Sequence, residues 1–274
     1  MKAGLDIGTS LVKAAWNPSA GVTRFLSTAD LALVDLFDRL HLEGITHLVT
    51  TGNGQIDIPA LFLVRPCQAD HLAVITRGVL AVMPSSGHKL ESFLIADLGN
   101  SFKYCMYRKK TGRTTELPFR NPIGGGWLQG ISRLLTIDDL ADVDRLAKSG
   151  AAPDILAKDL DIETAGTVAG TDVIAHFSLA DAGTPLEDAC AGLLQMTAVS
   201  VVRDFIYQRH IIRMAIDSQV QMLPPIFPVG TLSGRLPGLA GLLKYRLGLQ
   251  LFFPIFLPHS EYMAAYGALL EPES

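Results

Sequence analysis

Asp6-Ile-Gly8-Thr9-Ser10-Leu-Val-Lys13 has the residue types and spacing to hold a polyphosphate. It reads as a strand ending in an acid, a tight Gly-Thr-Ser turn, and a second strand leaving at once. Gly8 lets the backbone approach an anion closely, the turn amides and the Thr9 and Ser10 hydroxyls supply donors, and Asp6 can hold a metal through water. Lys13 could neutralise charge developing on a transferred phosphoryl group. The same residues also suit an ordinary hairpin, in which glycine and serine only make the turn and the lysine is solvated. Two further glycine punctuations follow predicted strands. Phe93 to Ala96 is a β-type run ending in Asp97-Leu-Gly99-Asn100-Ser101, with a second hairpin strand over Phe102 to Arg108 that turns at Lys109 to Gly112. Pro122-Ile-Gly124-Gly125-Gly126 opens a helix, placing unpaired amides and the positive dipole end at a candidate phosphate site. A plain loop ahead of a helix would look the same.

The elements that must position these residues alternate in type. Residues 2–7 and 11–16 form the first hairpin. Ser27 to Leu40 carries apolar residues at helical spacing, and Thr46 to Thr50 reads as a short buried strand. A helix is expected from near Asp70 to Val82, then a turn at Pro84-Ser-Ser-Gly87. Two Asp-headed hairpins about ninety residues apart imply two related α/β halves facing each other. Residues 136–170 look helical and polar. Thr184-Pro-Leu-Glu187 is a capping box opening a long buried helix through Arg209. Pro225 to Val229 reads as a strand running into Gly230-Thr-Leu-Ser-Gly234, followed by a helix and a short strand over Leu251 to Leu257. The last helix, from about His259, carries Ala264, Ala265, Gly267 and Ala268, small enough for close packing on another backbone.

The chain of 274 residues is 49% hydrophobic and 18% charged, with a net charge of -4, which suits a compact fold with a large core. That charge gives no reason to expect nucleic acid or an anionic membrane as partner. The apolar run Leu249 to Leu257 is too short to span a bilayer. The first strand begins at once, leaving no room for a signal peptide. Cys67, Cys105 and Cys190 have neither metal-ligand spacing nor an even count, so a reduced, cytoplasmic compartment is expected.

Taken in order, Gly4 to Lys13, Thr51-Gly-Asn-Gly54, Gly87 to Gly99, Gly124 to Gly130, Gly230 to Gly234 and His259 to Leu269 resemble the actin-like ATPase superfamily of sugar and acid kinases. Within it the pattern is most similar to type II pantothenate kinases. The resemblance implies a two-lobed, ribonuclease H-like α/β fold with a nucleotide cleft between lobes 1–91 and 92–274. In that arrangement the last helix, about 259–272, packs back on the first lobe or at a dimer interface. It implies an ATP- and Mg2+-dependent kinase for the hydroxyl of pantothenate, the first step towards coenzyme A. The family is homodimeric, and many members are controlled by coenzyme A or its thioesters. Carried onto matching positions, Asp6, Gly8, Thr9, Ser10 and Lys13 would handle phosphates and metal. Gly99, Asn100 and Ser101 would form a second phosphate loop. Gly124, Gly125, Gly126 and Gly230 would border the nucleotide, and Arg120 would contact the substrate.

The departures concern catalysis. The second loop is shortened, and Asp97 replaces the family's asparagine. The family's general base is a glutamate; its position falls on His71, with Asp70 beside it. Asp70, at a helix start, is the preferred base, with His71 and Asp97 as alternatives. Asp70 and His71 equally suit a helix cap and an exposed histidine, and Asp97 a strand-end residue satisfying turn amides. A rival reading is a nucleotide- or acyl-coenzyme-A-binding regulator that lost turnover. A third is an ATPase activating a radical dehydratase, which the scattered cysteines disfavour because such activators hold an iron–sulfur cluster with cysteines of both subunits.

Overall fold

The computed structural model describes residues 1–18, 21–84, 87, 90–156, 173–215 and 223–272. Ser85, Ser86, His88, Lys89 and positions 157–170 of the polar helical stretch lie outside the described residues. Strands β1 (Lys2–Ile7), β2 (Val12–Trp16) and β3 (Arg24–Ser27) form an antiparallel meander. Helix α1 (Leu33–Leu42) follows, β4 (His47–Thr51) returns parallel to β1, and β5 (Leu63–Pro66) lies parallel beside β4. After α2 (His71–Val82) the pattern recurs, with β6 (Ser92–Leu98), β7 (Phe102–Arg108) and β8 (Arg113–Asn121) as a second meander. The chain then forms α3 (Gly125–Leu134), α4 (Leu140–Ala147), the short pair β9 (Ile155–Leu156) and β10 (Val173–Ala175), and the long α5 (Leu186–Ala215). Strand β11 (Ile226–Val229) joins β6 in parallel, and α6 (Thr231–Arg235), α7 (Pro237–Leu249) and α8 (Met263–Leu269) complete the described chain.

The two large sheets thus run β3-β2-β1-β4-β5 and β8-β7-β6-β11, the same topology twice. Some boundaries differ from expectation. The helix expected from Ser27 begins at Leu33, because Ser27 still pairs with Lys13 and its carbonyl accepts from Asp30 in a turn. Leu31 and Leu33 pack on the same core at either side of that boundary, so their spacing imitated a helix. The strand expected over Leu251 to Leu257 reduces to one bridge between Ile226 and Pro254, a residue without an amide to extend a ladder. The Thr184 hydroxyl accepts from the Asp181 amide at 2.8 Å instead of closing a capping box, and α5 starts at Leu186. By length and composition Leu186–Met214 could cross a membrane, yet Leu193, Leu194, Val201 and Phe205 on it form the core of the second sheet.

Strand alternation decides which residues face which helices. Ala3, Leu5 and Ile7, with Val12, Ala14 and Trp16, pack on Leu36, Phe37 and Leu40 of α1. The opposite phase, Gly4, Asp6, Lys13 and Ala15, is the face that meets α8. In the second sheet Leu94, Ala96 and Leu98 pack towards α5 and α7, while Phe93, Ile95 and Cys105 pack on Leu72, Ile75 and Val79 of α2. Asp97 and Lys103 share that second phase. Helices α2 and α8 therefore fill the space between the sheets, touching each other where Gly78 meets Met263 and Gly267 meets the Val74 carbonyl. A Cβ at either glycine would overlap backbone. Gly267→Val is expected to cost about 3 kcal/mol, read as a fall of roughly 6–12 °C in Tm.

Candidate active site

The first turn of each meander lies at the C-terminal end of its opening strand, and alternation aims Asp6 and Asp97 inward. Both open into one cleft of about 660 Å³. One wall carries Asp6, Gly8, Thr9, Ser10 and Lys13, and the other Asp97, Gly99, Asn100, Ser101 and Lys103. His71 from the first turn of α2, with Gly125, Gly126 and Gly230, also lines it. The structure therefore brings together most residues named from sequence.

Lys13 stands directly across from Asp6 in the β1–β2 register, and Lys103 directly across from Asp97 in the β6–β7 register. One acid–lysine feature is thus repeated. Lys13 Nζ lies 3.8 Å from Asp6 Oδ2, with both side chains buried. Asp97 is 8% exposed, and burial pushes its carboxyl above the usual range. Among the surrounding charges, His71, Lys13 and Lys103 pull it down, and Asp6 pushes it further up. The Thr51 hydroxyl is 3.2 Å from His71 Nδ1, fixing the ring at the cleft edge. Two buried carboxylates facing one cleft are hard oxygen donors of the kind that hold magnesium together with phosphate oxygens. Among the described residues no cluster of three or more His, Cys, Asp or Glu side chains forms a metal site of protein groups alone.

Three expectations need correction. The amides at the start of α3 are not unpaired: Gly125 N donates to Gly99 O at 2.8 Å and Gly126 N to Asn100 O at 3.2 Å. The glycine run lets α3 press onto the second turn, where a Cβ at Gly124 or Gly126 would overlap Asn100. Gly124 does not line the cleft, so this helix start buttresses the turn. Asp70 also lies outside the cleft. It is exposed, and its carboxylate accepts from Ala73 N at 2.9 Å as the N-cap of α2. Arg120 is exposed on the edge strand β8, across from Lys103 in the β7–β8 register; its Nη2 pairs with Glu116 Oε1 at 2.8 Å, and it is not among the residues that line the cleft. Asp70→Ala is expected to lower stability by about 1 kcal/mol with turnover of the folded protein unchanged, and Asp70→Ser, which keeps a capping oxygen, should restore the stability.

Gly230 has φ +89, and a Cβ there would sit 2.9 Å from Asp97 Oδ1. Only glycine passes the carboxylate so closely in that conformation. Other cleft residues were not named as site residues from sequence: Lys103, Arg133 and Arg235, and Asn53 and Gln129, which fall within quoted motifs. Arg235 Nη2 donates to Asp30 Oδ1 at 3.0 Å, joining α6 to the turn after β3. Overlaying the two hairpins from their aspartates does not pick out Lys103, because the second turn is one residue shorter than the first; the strand register does.

No protein-family model matches the chain, and no curated protein matches it. Solved structures do. The activator of 2-hydroxyisocaproyl-CoA dehydratase from Clostridium difficile, with bound ADPNP, is 15% identical with a TM-score of 0.61, over 98% of this chain and 93% of that one. Component A of (R)-2-hydroxyglutaryl-CoA dehydratase from Acidaminococcus fermentans is 14% identical with a TM-score of 0.57, over 98% and 96%. The archaeal actin homolog Ta0583 is 10% identical with a TM-score of 0.50, over 98% of each chain. The chain has the actin-like ATPase fold, with its cleft between two duplicated α/β halves; at these identities the likeness reaches no further than the fold.

Proposed function

We propose that this cleft binds ATP with magnesium and transfers the terminal phosphoryl group to the hydroxyl of a small acceptor. The observation that carries the reading is the repeated acid–lysine hairpin, Asp6 with Lys13 and Asp97 with Lys103, each beside a glycine turn on opposite walls of one cleft. Phosphoryl transfer asks a protein chiefly for alignment and charge neutralisation. The hydroxyls of Thr9, Ser10 and Ser101 and the turn backbone would hold phosphate oxygens, while Lys13 and Lys103 would offset their charge. Asp6 would hold magnesium, which when bound neutralises charge on the transferred group. Asp97 and His71 are the two groups placed to accept the hydroxyl proton. The dehydratase activator of similar fold carries the nucleotide ADPNP, in keeping with this reading.

Pantothenate as the acceptor rests on motif order alone, since Arg120, the arginine the resemblance would set against its carboxylate, lies outside the cleft. Lobes 1–91 and 92–274, a cytoplasmic homodimer and an effector site for coenzyme A or an acyl-CoA belong to the same proposal. A second reading, nucleotide binding without turnover, is favoured by one observation: Asp70, the carboxylate beside the family's base position, is a helix cap. The electron-transfer role of a cluster-bearing activator finds no support in the cysteines. Cys105 and Cys190 are buried in the core, and burial raises all three thiols. The test is purified protein with radiolabelled ATP, magnesium and a panel of hydroxyl acceptors including pantothenate. Label transferred to an acceptor supports the kinase. Bound but unconsumed ATP supports the second reading, and absence of ATP binding contradicts both.

A further inference from the structure

We infer that the acceptor sits in a second hollow beside the first turn and is an uncharged hydroxyl compound; this rests on the phosphotransferase reading and specifies its substrate. The hollow, of about 410 Å³, shares Gly8 to Leu11 and Asn53 with the large cleft, so the two are divided only by the turn that would hold phosphate. Its far side is formed by Thr28, Leu33, Gln55 and Ile56.

That far side is tied to the turn. Gly54 N donates to Ile7 O at 2.7 Å, and a Cβ on Gly54 would overlap the Gly8 carbonyl, so the loop after β4 lies backbone against backbone on the turn. Val12 N donates to Thr28 Oγ1 at 2.9 Å, and Thr28 N to Val12 O at 2.9 Å, fixing the opposite side. A molecule held there would keep a set distance from the phosphate turn, which is what transfer to a positioned hydroxyl needs.

The lining selects the ligand class. Among the described residues no charged side chain lines the hollow. A carboxylate or ammonium entering it would lose water and meet no counter-charge. A polyol or hydroxy-amide would find hydroxyls and amides on Ser10, Thr28, Asn53 and Gln55, while Leu33 and Ile56 cover its carbon skeleton. In the step itself the acceptor oxygen forms a bond to the γ-phosphorus and the bond from that phosphorus to the β–γ bridging oxygen breaks. ADP leaves with that electron pair, and the hydroxyl proton passes by way of water to a base of the large cleft, Asp97 or His71, since neither lines the hollow.

The experiment compares pantothenate with pantothenol, in which a hydroxymethyl replaces the carboxylate, and with a set of neutral polyols, each given with ATP and magnesium. Uncharged acceptors should show kcat/KM at least tenfold above pantothenate. Ile56→Trp, which fills the hollow, should raise the acceptor KM at least tenfold while calorimetric affinity for a non-hydrolysable ATP analogue stays within twofold. A preference for the carboxylate, an unchanged KM in Ile56→Trp, or ATP binding with no uncharged acceptor phosphorylated would overturn the inference and leave the nucleotide site standing. Absence of ATP binding would remove both.

Discussion

Asp97→Asn is expected to reduce phosphoryl transfer by roughly 10²–10⁴-fold and, at neutral pH, to raise the melting temperature of the nucleotide-free protein. The two effects share one cause. Burial lifts the Asp97 carboxyl above its ordinary range, so the ionised form is held in the fold at a cost. In the unfolded chain the carboxylate ionises freely near its usual pKa of about 3.9. The folded state therefore binds the proton more tightly than the unfolded state does. The protonated form adds no such cost, so below the unfolded pKa wild type and Asp97→Asn should be equally stable. As pH rises from there through the raised folded value, wild type loses stability relative to the variant, and the gap is constant above. A gap of about 1 kcal/mol would read as roughly 2–4 °C. Melting curves of both proteins from pH 3 to 8, beside turnover at pH 7, check this. A residue important only for structure would lose stability and activity together.

Lys103→Met should weaken ATP–magnesium binding by about tenfold or more and lower turnover, with little change in folding. Lys103 is only half-buried, and among the described residues no carboxylate lies within ion-pair distance of it, so its removal strands no buried partner. Its charge is one of those pulling Asp97 down, so the substitution should also move the acidic limb of the pH–rate profile to higher pH. Lys103→Arg, which keeps the charge, should recover much of both. An unchanged pH profile in Lys103→Met would contradict a role beside Asp97. Lys13→Met is a harsher change, because it leaves buried Asp6 without the cation 3.8 Å away.

Much of the fold was legible because it is written in local patterns. An acid, a glycine turn and an emerging strand mark both hairpins, and their repetition announces two halves. The last helix showed its role through Ala264, Ala265 and Gly267, small residues that close packing between the sheets demands. What escaped reading depends on partners distant in sequence. Gly124 to Gly126 carry a glycine run that suits an anion, but the carbonyls of Gly99 and Asn100 take the amides. Asp70 carries a carboxylate at a helix start, and sequence cannot tell a cap from a base until the cleft's position relative to α2 is known. Arg120 is paired with Glu116 on the edge strand β8 and does not line the cleft, which its place in the sheet and not its sequence neighbours decides. Lys103 lies in the second hairpin strand, and only the register with Asp97 reveals its place.

The measurement that bears most directly on the whole account is calorimetric titration of the protein with ATP, ADP and AMP in the presence of magnesium. Two opposed hairpins gripping phosphates predict one site per chain, affinity falling in the order ATP, ADP, AMP, and loss of that order in a Lys13→Met, Lys103→Met double variant. Equal affinity for the three nucleotides, or no binding of any, would contradict it.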